Sequence, residues 1–226
     1  MIILSLETSS LHGSIAAYKD DQLIEYVKLS DQQRTAQSLA PAVAQLLRHV
    51  GWQPTDVELI AVTTGPGSFT GLRVGVTMAK TFAYATGAEV IGVNTLDVIA
   101  HQVPEQYDEF TCALDAHRGQ LFRKSYQRTT DGLVGSSDTE IVEVDDFIAE
   151  LQPGFIATGP MFAKLESRLN PQVELIDKKL WEPTAATVGQ IGFEQFQQRG
   201  PDDLWGLVPQ YFRKSAAEEK ADASTS

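Results

Sequence analysis

A glycine-rich segment, Thr64-Gly-Pro-Gly-Ser-Phe-Thr-Gly-Leu-Arg-Val-Gly75, is the part of this sequence most suited to binding chemistry. Its glycines let a backbone turn tightly and approach another group closely. A helix that begins near Thr70 or Gly71 would present unpaired N–H groups and the positive end of its dipole to an anion. The predicted anion or nucleotide contacts are Gly65, Gly67, Ser68, Thr70, Gly71 and Arg73. The alternative is a structural strand-to-helix turn, capped by Ser68 or Thr70.

Two more polar clusters each follow a predicted strand. Glu7-Thr-Ser-Ser10 could hold a metal–phosphate group or could form a capped polar turn. Asp115-Ala-His-Arg-Gly119 could supply a catalytic carboxylate or a turn with a local ion pair. The four histidines lack the spacing of a zinc site, and Leu72-Arg73 stands where a Walker A loop needs Lys-Ser/Thr. The residues therefore predict no complete active site and no metal ligands.

Two predicted helices, 34–50 and 71–86, carry small residues at steps of four. A helix that is apolar nearly all round is buried on most sides, and small residues let a neighbouring helix approach closely. One interpretation is that these faces pack inside the chain, and the other is that they meet a partner. The predicted partner-interface residues are Ala36, Ala40, Ala44, Gly75, Val76, Ala79 and Ala83.

Hydrophobic periodicity predicts an α/β fold in which the second half repeats the element order of the first. The first half contains strands 2–7, 13–18, 23–29, 57–63 and 89–93 with helices 34–50, 71–86 and 95–102. The second half contains strands 110–114, 120–127, 154–158 and 173–176, a further strand after 132, and helices 145–151, 160–169 and 184–198. Element order alone supports this duplication, because no repeated sequence accompanies it.

Composition restricts the classes of partner. The 226 residues include 18 Lys and Arg against 30 Asp and Glu, a net charge of −12. Residues 1–100 hold 6 basic and 9 acidic residues, and residues 101–226 hold 12 and 21. This acidity disfavours a leading role in gripping RNA or an anionic membrane. A single cysteine, Cys112, and the lack of a signal peptide or membrane-spanning run predict a cytoplasmic protein.

The sequence resembles the TsaB (YeaZ) family of bacterial tRNA threonylcarbamoyladenosine biosynthesis proteins. The resemblance is carried by Gly65–Gly75, Leu6–Ser9, Gly92–Leu96, Leu114–Phe122 and Pro209–Arg213, and it spans about residues 2–213. Two positions depart from the family pattern. Glu7 stands where the family usually has Asp, and Thr35 stands where many members carry a His.

The resemblance implies the ASKHA fold, the actin and sugar-kinase architecture of two duplicated subdomains. We expect these at 1–103 and 104–213, followed by a disordered tail at 214–226. It also implies a non-catalytic subunit that pairs with the catalytic paralogue TsaD, joins the ATPase TsaE, and meets tRNA only through that complex. Alone, the chain is expected to form a homodimer.

The turns that would hold a nucleotide in this fold look degenerate. Asp115–Gly119 has no adjacent glycines, and Gly159 is followed by Pro160, which lacks an N–H donor. We therefore expect the isolated chain to bind no cofactor tightly, with ATP or ADP confined to the assembled complex. The alternative is a stand-alone ATP-binding ASKHA enzyme that uses Glu7, the 65–71 loop and Asp115.

Overall fold

A computed structural model describes residues 1–30, 35–130 and 132–212, which form two α/β lobes. The first lobe contains β1 (Ile2–Glu7), β2 (Ser14–Lys19), β3 (Gln22–Lys28), α1 (Thr35–Val50), β4 (Leu59–Gly65), α2 (Phe69–Thr86), β5 (Glu89–Asn94) and α3 (Thr95–His101). The second contains β6 (Glu109–His117), β7 (Gln120–Thr129), β8 (Gly132–Gly135), β9 (Glu140–Glu143), α4 (Val144–Glu150), β10 (Ile156–Thr158), α5 (Phe162–Leu165) and β11 (Glu174–Leu175). The last helix is α6 (Ala185–Arg199). None of the described helices is both long and apolar enough to span a bilayer.

The two sheets share one topology, which confirms the predicted duplication. The first sheet has the order β3-β2-β1-β4-β5, with antiparallel pairing through β1–β3 and parallel pairing of β4 with β1 and β5. The second has the order β11-β10-β6-β7-β8, and β9 also pairs with β7. In both lobes the first strand lies centrally between an antiparallel meander and parallel strands. This is the ASKHA fold that the family resemblance implied.

Alternation along the strands of the first sheet supplies a core on each face. Leu4 and Leu6 point towards α1 and α2, where they pack among Leu39, Val43 and Val76. The intervening residues face the opposite side, where Ile3 packs with Ala61, Ile91, Val188 and Ile191. The sheet is therefore covered on both faces, which explains why nearly every residue of β1 and β4 is buried.

The predicted subdomain boundary is wrong for the C-terminal part of the chain. Helix α6 covers the face of the first sheet opposite α1 and α2, and Ser5 Oγ donates a hydrogen bond of 2.7 Å to the carbonyl of Ala185. Gly192 permits this contact, since a Cβ there would lie 2.4 Å from the Cβ of Ala61. Helix α6 thus returns to the first lobe, whose sheet gains a second apolar cover, while Phe212 packs against Phe122 of the second lobe.

Some element bounds also differ from the predictions. Strand β6 continues to His117, so Asp115 lies within the strand, and α5 ends at Leu165 and continues only as a short 3₁₀ turn. Helix α2 begins two residues early, at Phe69, because the Ser68 hydroxyl accepts the N–H of Gly71 as an N-cap. The predicted tail, 214–226, lies outside the described residues.

The helix faces lined by small residues differ in burial: that of α2 is buried and that of α1 is exposed. The prediction that α2 meets a partner through its small face is wrong, because that face lies in the hydrophobic core against the sheet. Its four residues, Gly75, Val76, Ala79 and Ala83, are all buried. Gly75 lies so close to β1 that a Cβ there would come within 2.1 Å of Thr8 Oγ1. On α1 the larger Leu and Val residues face the core, which leaves Ala36, Ala40 and Ala44 exposed.

We expect Ala79→Arg to destabilise the protein by roughly 3 kcal/mol or more, because it overpacks the core and buries a charge. The matched variant Ala40→Arg adds the same side chain to an exposed helix position and should change stability by no more than about 0.5 kcal/mol. Urea unfolding followed by circular dichroism measures both. Equal effects of the two substitutions would contradict the assignment of the α2 face to the core.

Candidate functional site

The carboxylate of Glu7 organises the turn that follows β1. Glu7 is fully buried, and its Oε1 accepts hydrogen bonds from the Ser9 N–H, at 2.6 Å, the Ser9 hydroxyl and the Ser10 N–H. The Ser10 hydroxyl donates to Oε2 at 2.9 Å. Four donors from two neighbouring residues therefore surround the carboxylate. The structure therefore has the capped polar turn that was one of the two predicted alternatives, and the donors come from Ser9 and Ser10 of the turn itself.

Burial raises the pKa of Glu7 to about 7, because removal from water disfavours the charged form. The hydrogen bonds from Ser9 and Ser10 act in the opposite direction but do not cancel this effect. Glu7 consequently has a pKa near neutral pH although both of its oxygens accept hydrogen bonds. A metal ion at Oε1 would have to compete with three donors, and one at Oε2 would have to share that oxygen with the Ser10 hydroxyl.

The glycine-rich loop is seated on the Glu7 turn. The N–H of Ser68 donates to the carbonyl of Ser9 at 2.8 Å. A Cβ at Gly67 would come within 2.5 Å of that same carbonyl oxygen, and a Cβ at Gly71 within 1.9 Å of the carbonyl oxygen of Thr8. Only glycine fits at such distances, so these two residues serve contact between two segments of the chain.

The predicted anion cradle is therefore corrected in favour of the structural alternative for most of its residues. Gly65 faces the carbonyl of Gln210, 2.7 Å from where a Cβ would stand, and the Ser68 hydroxyl is occupied as the N-cap. Close packing within the chain accounts for Gly65, Gly67, Ser68 and Gly71. Ser68, Thr70 and Arg73 are the exposed members of the predicted set, and of these three only Ser68 caps the helix through its side chain.

Arg73 joins an aromatic cluster beside the loop. Its guanidinium carbon lies 4.0 Å from the ring centroid of Phe69, and its Nε donates a hydrogen bond of 2.8 Å to the Tyr211 hydroxyl. The rings of Phe69 and Tyr211 stack at 4.7 Å. Sequence reasoning missed this contact, because the two aromatic residues lie more than 140 positions apart. Their only signal was the presence of both in segments that carry the family resemblance.

Asp115 lies at a separate place in the second lobe. It forms an ion pair of 2.5 Å with Lys164, and its other oxygen accepts the N–H of His117 at 2.8 Å. Partial burial alone would raise the pKa of Asp115, but these interactions outweigh it and lower the pKa. The side chain borders an open cavity of about 450 Å³, which none of the Glu7 or glycine-loop residues line. The structure therefore does not bring the three predicted polar clusters together around one cavity.

Metal ligation finds no support in the part of the chain that the structure describes. Within residues 1–30, 35–130 and 132–212, no three His, Cys, Asp or Glu side chains come together as a ligand set. Cys112 is buried and unpaired, and burial raises the pKa of its thiol well above the ordinary value.

Comparison with known proteins places this geometry in a family. A family model described as TsaD, tRNA N6-adenosine threonylcarbamoyltransferase, matches residues 29–177. The tRNA threonylcarbamoyladenosine biosynthesis protein TsaB of Bacillus subtilis is 29% identical over 97% of both chains. TsaB of Escherichia coli is 30% identical over 66% of this chain and 65% of its own.

The chain belongs to the TsaB (YeaZ) family. The fold agrees: the structure of YeaZ from Pseudomonas aeruginosa superposes with a TM-score of 0.78, covering 93% of this chain and 99% of that one at 20% identity. A second Pseudomonas aeruginosa structure, described as similar to peptidase YEAZ, gives a TM-score of 0.79 at 21% identity. In this TsaB-family chain, the Glu7 carboxylate reaches back to Ser9 and Ser10.

We expect Glu7→Gln to remove a pH dependence from the stability of the fold. The pKa of Glu7 is raised from 4.5 to about 7, so the folded protein holds a proton that the unfolded chain releases. The associated stability is fully present below pH 4.5 and is lost as pH rises through 7, amounting to roughly 3 kcal/mol.

Urea unfolding at pH 4.5, 6 and 8 measures this effect. The stability of the wild-type protein should fall with pH relative to that of the Gln variant, and the difference should level off above pH 8. Parallel stability curves for the two proteins would contradict a buried, titrating Glu7.

Proposed function

We propose that this chain is a non-catalytic subunit of the complex that forms N6-threonylcarbamoyladenosine at position 37 of tRNAs reading ANN codons. In this proposal it scaffolds and activates the catalytic paralogue TsaD and helps to recruit the ATPase TsaE. Membership of the TsaB family supports the pathway. The structural observation that carries the proposal is the exposed alanine stripe of α1, formed by Ala36, Ala40 and Ala44.

This stripe has the properties of a helix-docking surface. Three small apolar side chains lie at steps of four on the outward face of a 16-residue helix, with the core-facing Leu39, Val43 and Leu46 on its other side. A partner helix can approach closely along the three alanines, because their side chains are small. The same stripe, when the partner is absent, would account for a homodimer.

The polar clusters support a role outside catalysis. Both carboxylate oxygens of Glu7 accept hydrogen bonds from its own turn. The two oxygens of Asp115 bind the Lys164 ammonium and accept the N–H of His117. A general base or a metal ligand needs lone pairs directed at a substrate. Activity of the complex would then reside in TsaD, and the acidic surface of this chain fits a subunit that meets tRNA through the complex in the cytoplasm.

We expect Ala40→Arg to abolish co-purification with TsaD and to reduce tRNA modification to the level seen without this chain, because a long charged side chain blocks close helix approach. Ala149→Arg, at an exposed position of α4 in the second lobe, is the matched control and should behave as wild type. The assay is reconstitution with TsaD, TsaE and the threonylcarbamoyl-adenylate donor. Full modification without this chain would overturn the proposed role.

The proposal includes weak or absent nucleotide binding by the isolated chain. One N–H of the glycine-rich loop, that of Ser68, already donates to the carbonyl of Ser9, which supports this part of the proposal. Calorimetry with ATP and Mg²⁺ should give no binding below about 1 mM, which corresponds to about 4 kcal/mol. Tight binding with turnover would favour the stand-alone ATP-binding enzyme, with the cavity beside Asp115 as the first place to examine.

A further inference from the structure

Helices α1 and α2 form a layer whose charge is opposite to that of the rest of the molecule. Neither Thr35–Val50 nor Phe69–Thr86 contains an acidic residue, and together they carry Arg48, Arg73 and Lys80. The whole chain has a net charge of −12, so the remainder carries −15. The two helices pack side by side on one face of the first sheet. Such charge segregation suits a partner whose docking face is acidic.

Arg73 is held in a defined orientation on this layer. The hydrogen bond from its Nε to the Tyr211 hydroxyl directs the guanidinium plane, and the Phe69 ring lies 4.0 Å from the guanidinium carbon. Among the described residues, neither terminal nitrogen of Arg73 has a hydrogen-bond acceptor. The outer edge of the guanidinium is therefore a free two-donor fork, the geometry that binds a carboxylate or a phosphate bidentately.

The C-terminal segment, residues 202–212, keeps Tyr211 in place. The N–H of Gln210 donates to the carbonyl of Thr64 at 2.7 Å, next to the glycine-rich loop. Further along α2, the Lys80 ammonium donates to the carbonyls of Trp205 and Leu207, each at 3.0 Å. The orientation of Arg73 thus depends on a segment that is bound both to the strand before α2 and to Lys80 within the helix.

We propose that Arg73 is an anchor that recognises an aspartate or glutamate side chain on the docking face of the partner subunit. This inference rests on the proposed function and names the chemistry of its interface. Phe69, Tyr84 and Trp205, with 38, 72 and 68% of their surfaces exposed, lie along the same side of α2. Exposed aromatic residues around an oriented arginine are the composition of protein-interface hot spots.

A protein carboxylate fits this surface better than an RNA phosphate. Lys80 is already committed to two backbone carbonyls, which leaves Arg48 and Arg73 as the cations of the layer that are free to meet an anion. Two cations release few counterions, and the surrounding charge of −15 repels a polyanion. A single carboxylate embedded in an otherwise apolar protein surface needs only one arginine fork.

The test is the affinity of this chain for TsaD, measured by calorimetry at low and high salt. We expect Arg73→Gln to weaken binding about tenfold or more and to reduce its salt dependence. Arg73→Lys should not restore wild-type affinity, because lysine keeps the charge but lacks the fork. Tyr211→Phe, which removes only the orienting hydroxyl, should weaken binding about fivefold, the value of one hydrogen bond.

Lys179→Gln is the control for removal of a positive charge, because Lys179 is exposed on the second lobe. The affinity of this variant for TsaD should stay within about twofold of that of the wild type. Circular dichroism confirms that each variant is folded. Wild-type affinity in Arg73→Gln, alongside lost binding in Ala40→Arg, would overturn this inference and leave the docking proposal standing. Failure of the unsubstituted chain to bind TsaD overturns both.

A third arm separates protein from RNA. Unmodified tRNA is titrated against the isolated chain and against Arg73→Gln in the same buffers. The proposal is overturned if the wild-type chain binds tRNA, Arg73→Gln does not, and both bind TsaD equally well. That result would assign the Arg73 guanidinium to a phosphate.

Discussion

The packing of the Glu7–Ser10 turn against the glycine-rich loop is the contact on which the first lobe depends. The buried Glu7 carboxylate stabilises the turn through hydrogen bonds from Ser9 and Ser10. The carbonyl of Ser9 then contacts Gly67 and accepts the N–H of Ser68, and the carbonyl of Thr8 contacts Gly71. Because α2 begins at this loop, its position on the sheet follows from the same contact. The small residues Gly75, Ala79 and Ala83 then let the whole length of α2 lie close to the sheet.

This arrangement shows what the glycine-rich loop does within the chain. Close backbone approach is what a glycine-rich loop offers to any neighbour, whether a phosphate or a peptide carbonyl. Here the neighbour is the turn after β1, so the loop connects two strands of one sheet and orients the helix that follows. The helix presents to solvent a face with two cations, several aromatic residues and no acidic residue.

The two lobes share a topology but differ in how their sheets are covered. The first sheet has helices on both faces, and the second cover, α6, comes from the far end of the chain. This return links the C-terminal segment to α2 and brings Tyr211 to Arg73. The interface proposed for a partner is consequently a composite of residues from both ends of the sequence, and it depends on the lobe being complete.

The sequence by itself determined the α/β class, the duplicated element order, the family and most element positions, because these depend on local periodicity, capping and contiguous motifs. Ser68 as N-cap and the exposed alanines of α1 belong to this group, although sequence alone left their roles open. Only the tertiary structure decided which small faces are buried, where α6 packs, and what the glycines approach. Those outcomes depend on contacts between distant segments, such as Thr8 with Gly75 and Arg73 with Tyr211, which no local pattern encodes.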